Sequence, residues 1–190
     1  MELKGSKTEI NLLTSFAGES QARNRYTLFA QKAREEGYEQ VAAVFETTAL
    51  QELEHAKRFF SYLQGGAVTI NAAYPAGIVA STRENLMEAA KGEKEEWSML
   101  YDNFEKIARE EGFSEIAGAF KAIASVEKYH EWRYKTLHDR LEKETVFSRP
   151  EPIKWQCRAC GYVFEGTTPP PRCPACLRPR GFFQPLQDNY

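Results

Sequence analysis

Glu52-Leu53-Glu54-His55 has a counterpart 75 residues further on, Glu127-Lys128-Tyr129-His130. The pair lies inside a longer echo, in which Ala33-Arg34-Glu35-Glu36-Gly37 returns as Ala108-Arg109-Glu110-Glu111-Gly112 at the same offset. One helical hairpin is therefore written twice, and each copy carries a Glu and a His three positions apart. Residues i and i+3 share a helix face. A carboxylate and an imidazole aimed at one point from that face form a pair of metal ligands. Two such pairs imply two metals.

Working outward, Ser6-x-x-Glu9 is a capping box that opens a helix running to Gly37. A second helix is expected from Glu39 to Leu63, stopping at Gly65-Gly66. Pro75 and Gly77 break the stretch 64–80. Ser81-x-x-Glu84 opens a third helix that ends at Gly112, and a fourth runs from near Ser114 to about Lys143. The connections at Gly37 and Gly112 are so short that each hairpin must be antiparallel, whereas 64–80 is long enough to cross from one end to the other. The expected architecture is an all-α ferritin-like four-helix bundle over residues 1–145. Pro150 and Pro152 mark a linker, 146–154, and a small metal-binding module occupies 155–190. So short a segment cannot bury enough apolar surface by itself and needs a metal staple.

The charge balance, 25 basic against 27 acidic residues, gives −2 and a pI near 6.0, so neither nucleic acid nor an anionic membrane is expected as a partner. The polar start of the chain carries no sign of a signal peptide, and no apolar run approaches the ~20 residues of a membrane span. All four cysteines fall near the end, as Cys157-x2-Cys160 and Cys173-x2-Cys176. Two CxxC pairs without a signal peptide read as a tetrathiolate site in a reducing compartment, and the expected location is cytoplasmic.

Helical spacing places an inward stripe on each helix. The stripes are Leu12, Phe16, Glu19, Ala22, Tyr26, Ala30 and Ala33; Phe45, Thr48, Glu52, His55, Phe59 and Tyr62; Leu86, Ala90, Glu93, Glu96, Leu100, Phe104 and Ile107; and Phe120, Ile123, Glu127, His130, Tyr134, Leu137 and Leu141. Each is apolar at its ends and ionisable at its middle. One glutamate on such a stripe is ordinarily a side chain that reaches out to water, and one core histidine is ordinarily structural. Five carboxylates and two imidazoles at one height are different, because unpaired buried charge costs several kcal/mol per ion. No Lys or Arg stands beside them on the stripes, and two divalent cations supply +4 against −5. Oxygen-rich ligands with one imidazole per metal suit iron or manganese, with zinc as the alternative. Glu19, Glu93, Glu52/His55 and Glu127/His130 fill the usual dinuclear pattern. Glu96 is extra, and a fifth carboxylate favours the oxidised pair, as in a site that cycles. Tyr26 and Tyr101 read either as donors to the carboxylates or to a bound oxygen species, or as core aromatics whose hydroxyls found a partner. For the four cysteines, spacing alone favours structural zinc. Gly161-Tyr162, Pro174 and the neighbouring redox-capable site favour iron. His138 lies off its stripe and takes no role.

The chain resembles rubrerythrins over essentially its whole length. The resemblance is carried by Phe16-Ala-Gly-Glu19-Ser-Gln-Ala-Arg-Asn-Arg-Tyr26, Gln51-Glu-Leu-Glu-His-Ala-Lys-Arg58, Gly92-Glu-Lys-Glu-Glu96, Glu127-x-x-His130 and the Cys157–Cys176 module. It implies a non-haem di-iron peroxidase that reduces hydrogen peroxide to water and protects against oxidative stress. Glu52 and Glu127 would bridge two irons, Glu19 would be terminal on one, and Glu93 and His130 would serve the other. One iron would move on reduction from Glu96 to His55, making Glu96, His55, Tyr26 and Tyr101 the catalytic set. A third iron would sit in a rubredoxin-like four-cysteine site formed by Cys157, Cys160, Cys173 and Cys176. It would receive electrons from an NAD(P)H-dependent reductase, directly or through free rubredoxin, and pass them to the di-iron site of the other subunit of a homodimer or higher oligomer. The alternatives are a ferroxidase and a zinc- or manganese-filled bundle whose four-cysteine module binds a partner. One departure stands out: Leu177 follows the last cysteine, where rubredoxins usually place Gly.

Overall fold

The computed structural model describes residues 2–187; Met1 and residues 188–190, the last three of the expected C-terminal module, lie outside them. Helix α1, Lys7–Glu35, turns through Gly37 into α2, Glu39–Phe60. Helix α3, Thr82–Glu95, continues through a π turn, Glu96–Leu100, into α4, Tyr101–Glu110, which turns through Gly112 into α5, Ser114–Glu142. Both hairpin glycines take positive φ, +81° and +86°, the left-handed conformation that side chains disfavour. The amide after each turn then reaches back to close it, Tyr38 to the Ala33 carbonyl and Phe113 to that of Ala108.

The helix starts follow from their caps. The Ser6 and Ser81 hydroxyls accept from the Glu9 and Glu84 amides. Each hairpin turn also caps the opposite hairpin. Glu111 accepts from the Lys7 and Thr8 amides, and Glu36 from that of Thr82. A carboxylate at a helix N-terminus meets both the unpaired amides and the positive end of the dipole. These contacts hold the two hairpins in register.

Two apolar clusters fill the bundle ends. One gathers Tyr26, Phe29, Val41, Phe45, Leu86 and Tyr134; the other gathers Leu12, Phe59, Tyr101, Phe104, Ile116 and Phe120. Between them lies the belt of carboxylates. The crossover follows α1 along the outside, where the Tyr74 hydroxyl donates to the Thr14 carbonyl at 2.8 Å.

Two expectations are corrected. Helix α2 ends at Phe60 rather than Leu63, because the last amides tighten onto carbonyls three residues back, Tyr62 to Phe59 and Leu63 to Phe60. The third rod is not one regular helix. Its π turn adds one residue between Glu96 and Tyr101, so these two, five apart, both face inward, and Leu100 is turned outward at 38% exposure. The strict helical stripe had placed Leu100 inside.

The C-terminal segment forms a three-stranded antiparallel sheet in the order β2-β1-β3, with β1 Ile153–Cys157, β2 Val163–Gly166 and β3 Phe183–Pro185. Strand β1 begins inside the expected linker. Buried Trp155 and Phe183 supply the small core beside Cys157 and Cys173. The module sits on the α1–α2 turn. Tyr38 stacks on Phe147, and a Cβ on Gly181 would lie 2.1 Å from the Gly37 carbonyl oxygen, so the two backbones touch with no room for a methyl group. Among the described residues no helix is long and apolar enough to cross a membrane.

Candidate metal centres

Four rods deliver the belt. Donor atoms of Glu19, Glu52, His55 and Glu127 lie within 4.8 Å of one another, as do those of Glu52, Glu93, Glu127 and His130. Glu52 and Glu127 belong to both groups, so two ions held there would share them. The structure therefore brings together six of the seven side chains expected from the stripes. Glu96 belongs to neither group. It is half-buried, close enough to Glu93, Glu127 and Glu52 to feel their charge.

The donor atoms are arranged for cations rather than for each other. Glu19 Oε2, Glu52 Oε1, Glu93 Oε2, both Glu127 oxygens and His130 Nδ1 are buried without a hydrogen-bond partner. Yet His130 Nδ1 is only 3.1 Å from Glu52 Oε1 and 2.8 Å from Glu127 Oε2. Near but misaligned, these atoms converge on common points, as ligand lone pairs do. Buried polar groups ordinarily have partners, so the residues fit two metal ions. The oxygen-rich set with one imidazole each suits iron.

Electrostatics agree. Burial first, then the charges of Glu127, Glu52 and Glu96, lifts the Glu19 carboxyl well above the usual range, although the Tyr101 hydroxyl pulls the other way. Burial and Glu52 raise Glu93, and burial with Glu93, Glu127 and Glu52 raises Glu96. Burial would lower the imidazoles, but the close carboxylates of Glu127 and Glu52 prevail and push His55 up to about 10 and His130 up to about 12. Without metal, Glu19, Glu93, Glu96 and the two imidazoles hold protons more tightly than free side chains do.

Each repeat lends a tyrosine to the other. Tyr26 on α1 donates to Glu93 Oε1 at 2.5 Å, and Tyr101 on α4 donates to Glu19 Oε1. Burial and the adjoining carboxylate raise both phenols well above their ordinary value, so both hydroxyls keep their protons. Both sequence readings hold at once here: these are core aromatics and donors to carboxylates.

Sequence reasoning missed three neighbours. Arg25 lies near enough to Glu96 to favour its charged form. Gln51 Oε1 accepts from His130 Nε2 at 3.0 Å, and Arg133 donates to Gln51 and to the Thr48 hydroxyl. All three lie just off the inward stripes, where a strict helical count expects solvent. The only sequence hint was a polar Gln directly before Glu52.

In the module the sulfurs of Cys157, Cys160, Cys173 and Cys176 also lie within 4.8 Å of one another. Sγ–Sγ separations of 3.7 Å for Cys157–Cys176 and 3.6 Å for Cys160–Cys173 are far beyond a disulfide bond of about 2.05 Å. They match the edge of a tetrahedron with metal–sulfur bonds of ~2.3 Å. Two like turns carry the pairs. The Gly161 amide donates to the Cys157 carbonyl and the Leu177 amide to that of Cys173, both at 2.8 Å. Gly161 has φ +79° and Leu177 φ +61°, so Leu177 occupies a left-handed position that glycine fills in the first turn.

Comparison with known proteins gives a consistent picture. Residues 11–138 match the family model for rubrerythrin, and residues 155–184 match that for the rubrerythrin rubredoxin-like domain. A rubrerythrin of Porphyromonas gingivalis is 57% identical over 99% of this chain and 94% of its own length. One from Nitratidesulfovibrio vulgaris is 50% identical over 99% and 98%. Among solved structures, a mixed-valence state of nigerythrin superposes with a TM-score of 0.61 at 30% identity, covering 97% of this chain and 91% of that one.

Proposed function

The chain belongs to the rubrerythrin family, a di-iron oxidoreductase with a third iron in its four-cysteine module, and from that premise we propose that it reduces hydrogen peroxide to water. The reaction consumes two electrons and two protons and releases two waters. The observation that carries the reading is Glu96, a spare carboxylate beside a complete ligand set. Two irons bound by Glu19, Glu52, His55, Glu93, Glu127 and His130 would supply the electron pair and Lewis acidity at the O–O bond. Glu96 offers an additional negative ligand when the metal charge rises, and neutral His55 suits the reduced state. Tyr26 and Tyr101 hold hydroxyl protons on Glu93 and Glu19, where they steady the carboxylates and can hand a proton on.

The bundle, residues 1–145, is the catalytic part, and the module, 155–190, is the electron entry. Within one chain the module touches Gly37, roughly 20 Å along α2 from Glu52 at 1.5 Å per residue. That separation supports delivery from the module of one subunit to the bundle of another, with a reductase linked to NAD(P)H as the source. Stopped-flow mixing of fully reduced protein with hydrogen peroxide tests the reading. The di-iron site should oxidise before the colour of the ferric tetrathiolate centre develops. The reverse order refutes it, and iron turnover with O2 but none with peroxide would establish a ferroxidase instead.

A further inference from the structure

The two histidines of the belt are held differently. His130 is almost fully buried, and its Nε2 meets Gln51 Oε1 at 3.0 Å. Arg133 has only donors to offer, so its contact with Gln51 at 3.3 Å turns the amide oxygen, not the amide nitrogen, toward both neighbours. The same nitrogen, Arg133 Nη2, also donates to the Thr48 hydroxyl, which fixes where it points. With its Nε2 proton committed to Gln51, His130 must present the Nδ1 lone pair to Glu52, Glu93 and Glu127.

His55 also faces the carboxylates through Nδ1, at 2.8 Å from Glu52 and 2.9 Å from Glu127. Its Nε2 makes no hydrogen bond to the protein among the described residues. The 75-residue repeat shows why. Gln51 corresponds to Val126, Thr48 to Ile123 and Arg133 to Arg58. Val126 lines the same surface opening as His55 and Gln51, and it has no acceptor. Arg58 reaches away to Glu115 and the Tyr62 ring. One half of the duplication carries a complete latch and the other carries none.

We propose that Gln51 and Arg133 are positioning residues that lock His130 as a permanent metal ligand, and that Val126 leaves His55 free to give way to Glu96. The asymmetry gives a physical reason for exchange at one metal position only, which the family resemblance implies. The proposal rests on the di-iron reading of the site, though not on peroxide as the oxidant.

Proton NMR of the ferrous-loaded protein tests it through the exchange of imidazole N–H signals with solvent. Wild type should show one slowly exchanging signal, from His130, and one fast. Val126→Gln should slow the second by at least about tenfold, and Gln51→Val should remove the slow signal and weaken metal binding by about 10–100-fold. Gln51→Glu, which keeps an acceptor, should preserve the slow signal. Two equal rates in wild type would overturn the latch. So would an unchanged His55 signal in iron-replete Val126→Gln, or equal exchange in Gln51→Val and Gln51→Glu. None of these readings needs turnover. A wild type inert to peroxide would therefore refute the proposed function and leave the latch to be judged separately.

Discussion

Stripping the metals should give the bundle an unusual dependence on pH. In the metal-free fold His55 is held at about 10 and His130 at about 12, whereas an unfolded chain releases those protons near 6.5. A raised imidazole pKa gives stability that is complete below about 6.5 and is lost as pH climbs through the folded value. Between pH 7 and 9 the folded chain thus holds two more protons than the unfolded one. At ~1.4 kcal/mol per proton, stability falls by roughly 3 kcal/mol for each pH unit. The raised carboxyls of Glu19, Glu93 and Glu96 act in the same direction, because the fold keeps protons that the unfolded chain gives up above about 4.5. For a chain of this length, Tm should drop by about 6–12 °C per unit. Metal ions displace these protons and bind more tightly as pH rises. Calorimetry of chelator-stripped and iron-loaded protein at pH 6, 7, 8 and 9 should show a gap in Tm that widens upward. A stripped protein with a flat or rising Tm over that range, or one as stable as the loaded form at pH 7, would refute the convergence of buried carboxylates on which the site rests.

Glu96→Ala should leave two irons bound per chain, by metal analysis, while slowing peroxide turnover; unchanged turnover would remove Glu96 from the chemistry. Cys173→Ser should abolish NAD(P)H-linked reduction in the presence of a reductase yet spare the single turnover of pre-reduced protein, and parallel loss of both would contradict the division of labour. Leu177→Gly should stabilise the module by about 1 kcal/mol by relieving a left-handed leucine. The side chain is 68% exposed and packs little, so the gain should appear as a higher denaturant midpoint for loss of the tetrathiolate absorbance.

Much of this was legible in the residues themselves. The repeat, the two serine caps and the two turn glycines suffice for four rods and one crossover, because each is a local signal that tertiary packing reinforces. The ligands were legible because burying Glu19, Glu52, Glu93 and Glu127 together makes physical sense only around cations. Leu100 and Tyr101 exchanged places for a reason that a fixed helical period cannot express. The corresponding inward residues are Ala22 and Tyr26 in the first rod, four apart, and Glu96 and Tyr101 in the third, five apart. That slip was visible as a mismatch in the repeat, and the π turn is its structural form. Gln51 and Arg133 were hidden because a side chain that backs a ligand sits beside the stripe rather than on it.

The backbone contact between Gly181 and Gly37 has a wider consequence. That contact seats the small module at the turn end of its own bundle, away from the carboxylate belt. If electrons pass from the module of one subunit to the bundle of another, as proposed, a solitary chain is an open circuit, competent for one discharge and unable to recharge itself. Its sustained activity should depend on protein concentration, fading on dilution as neighbours part.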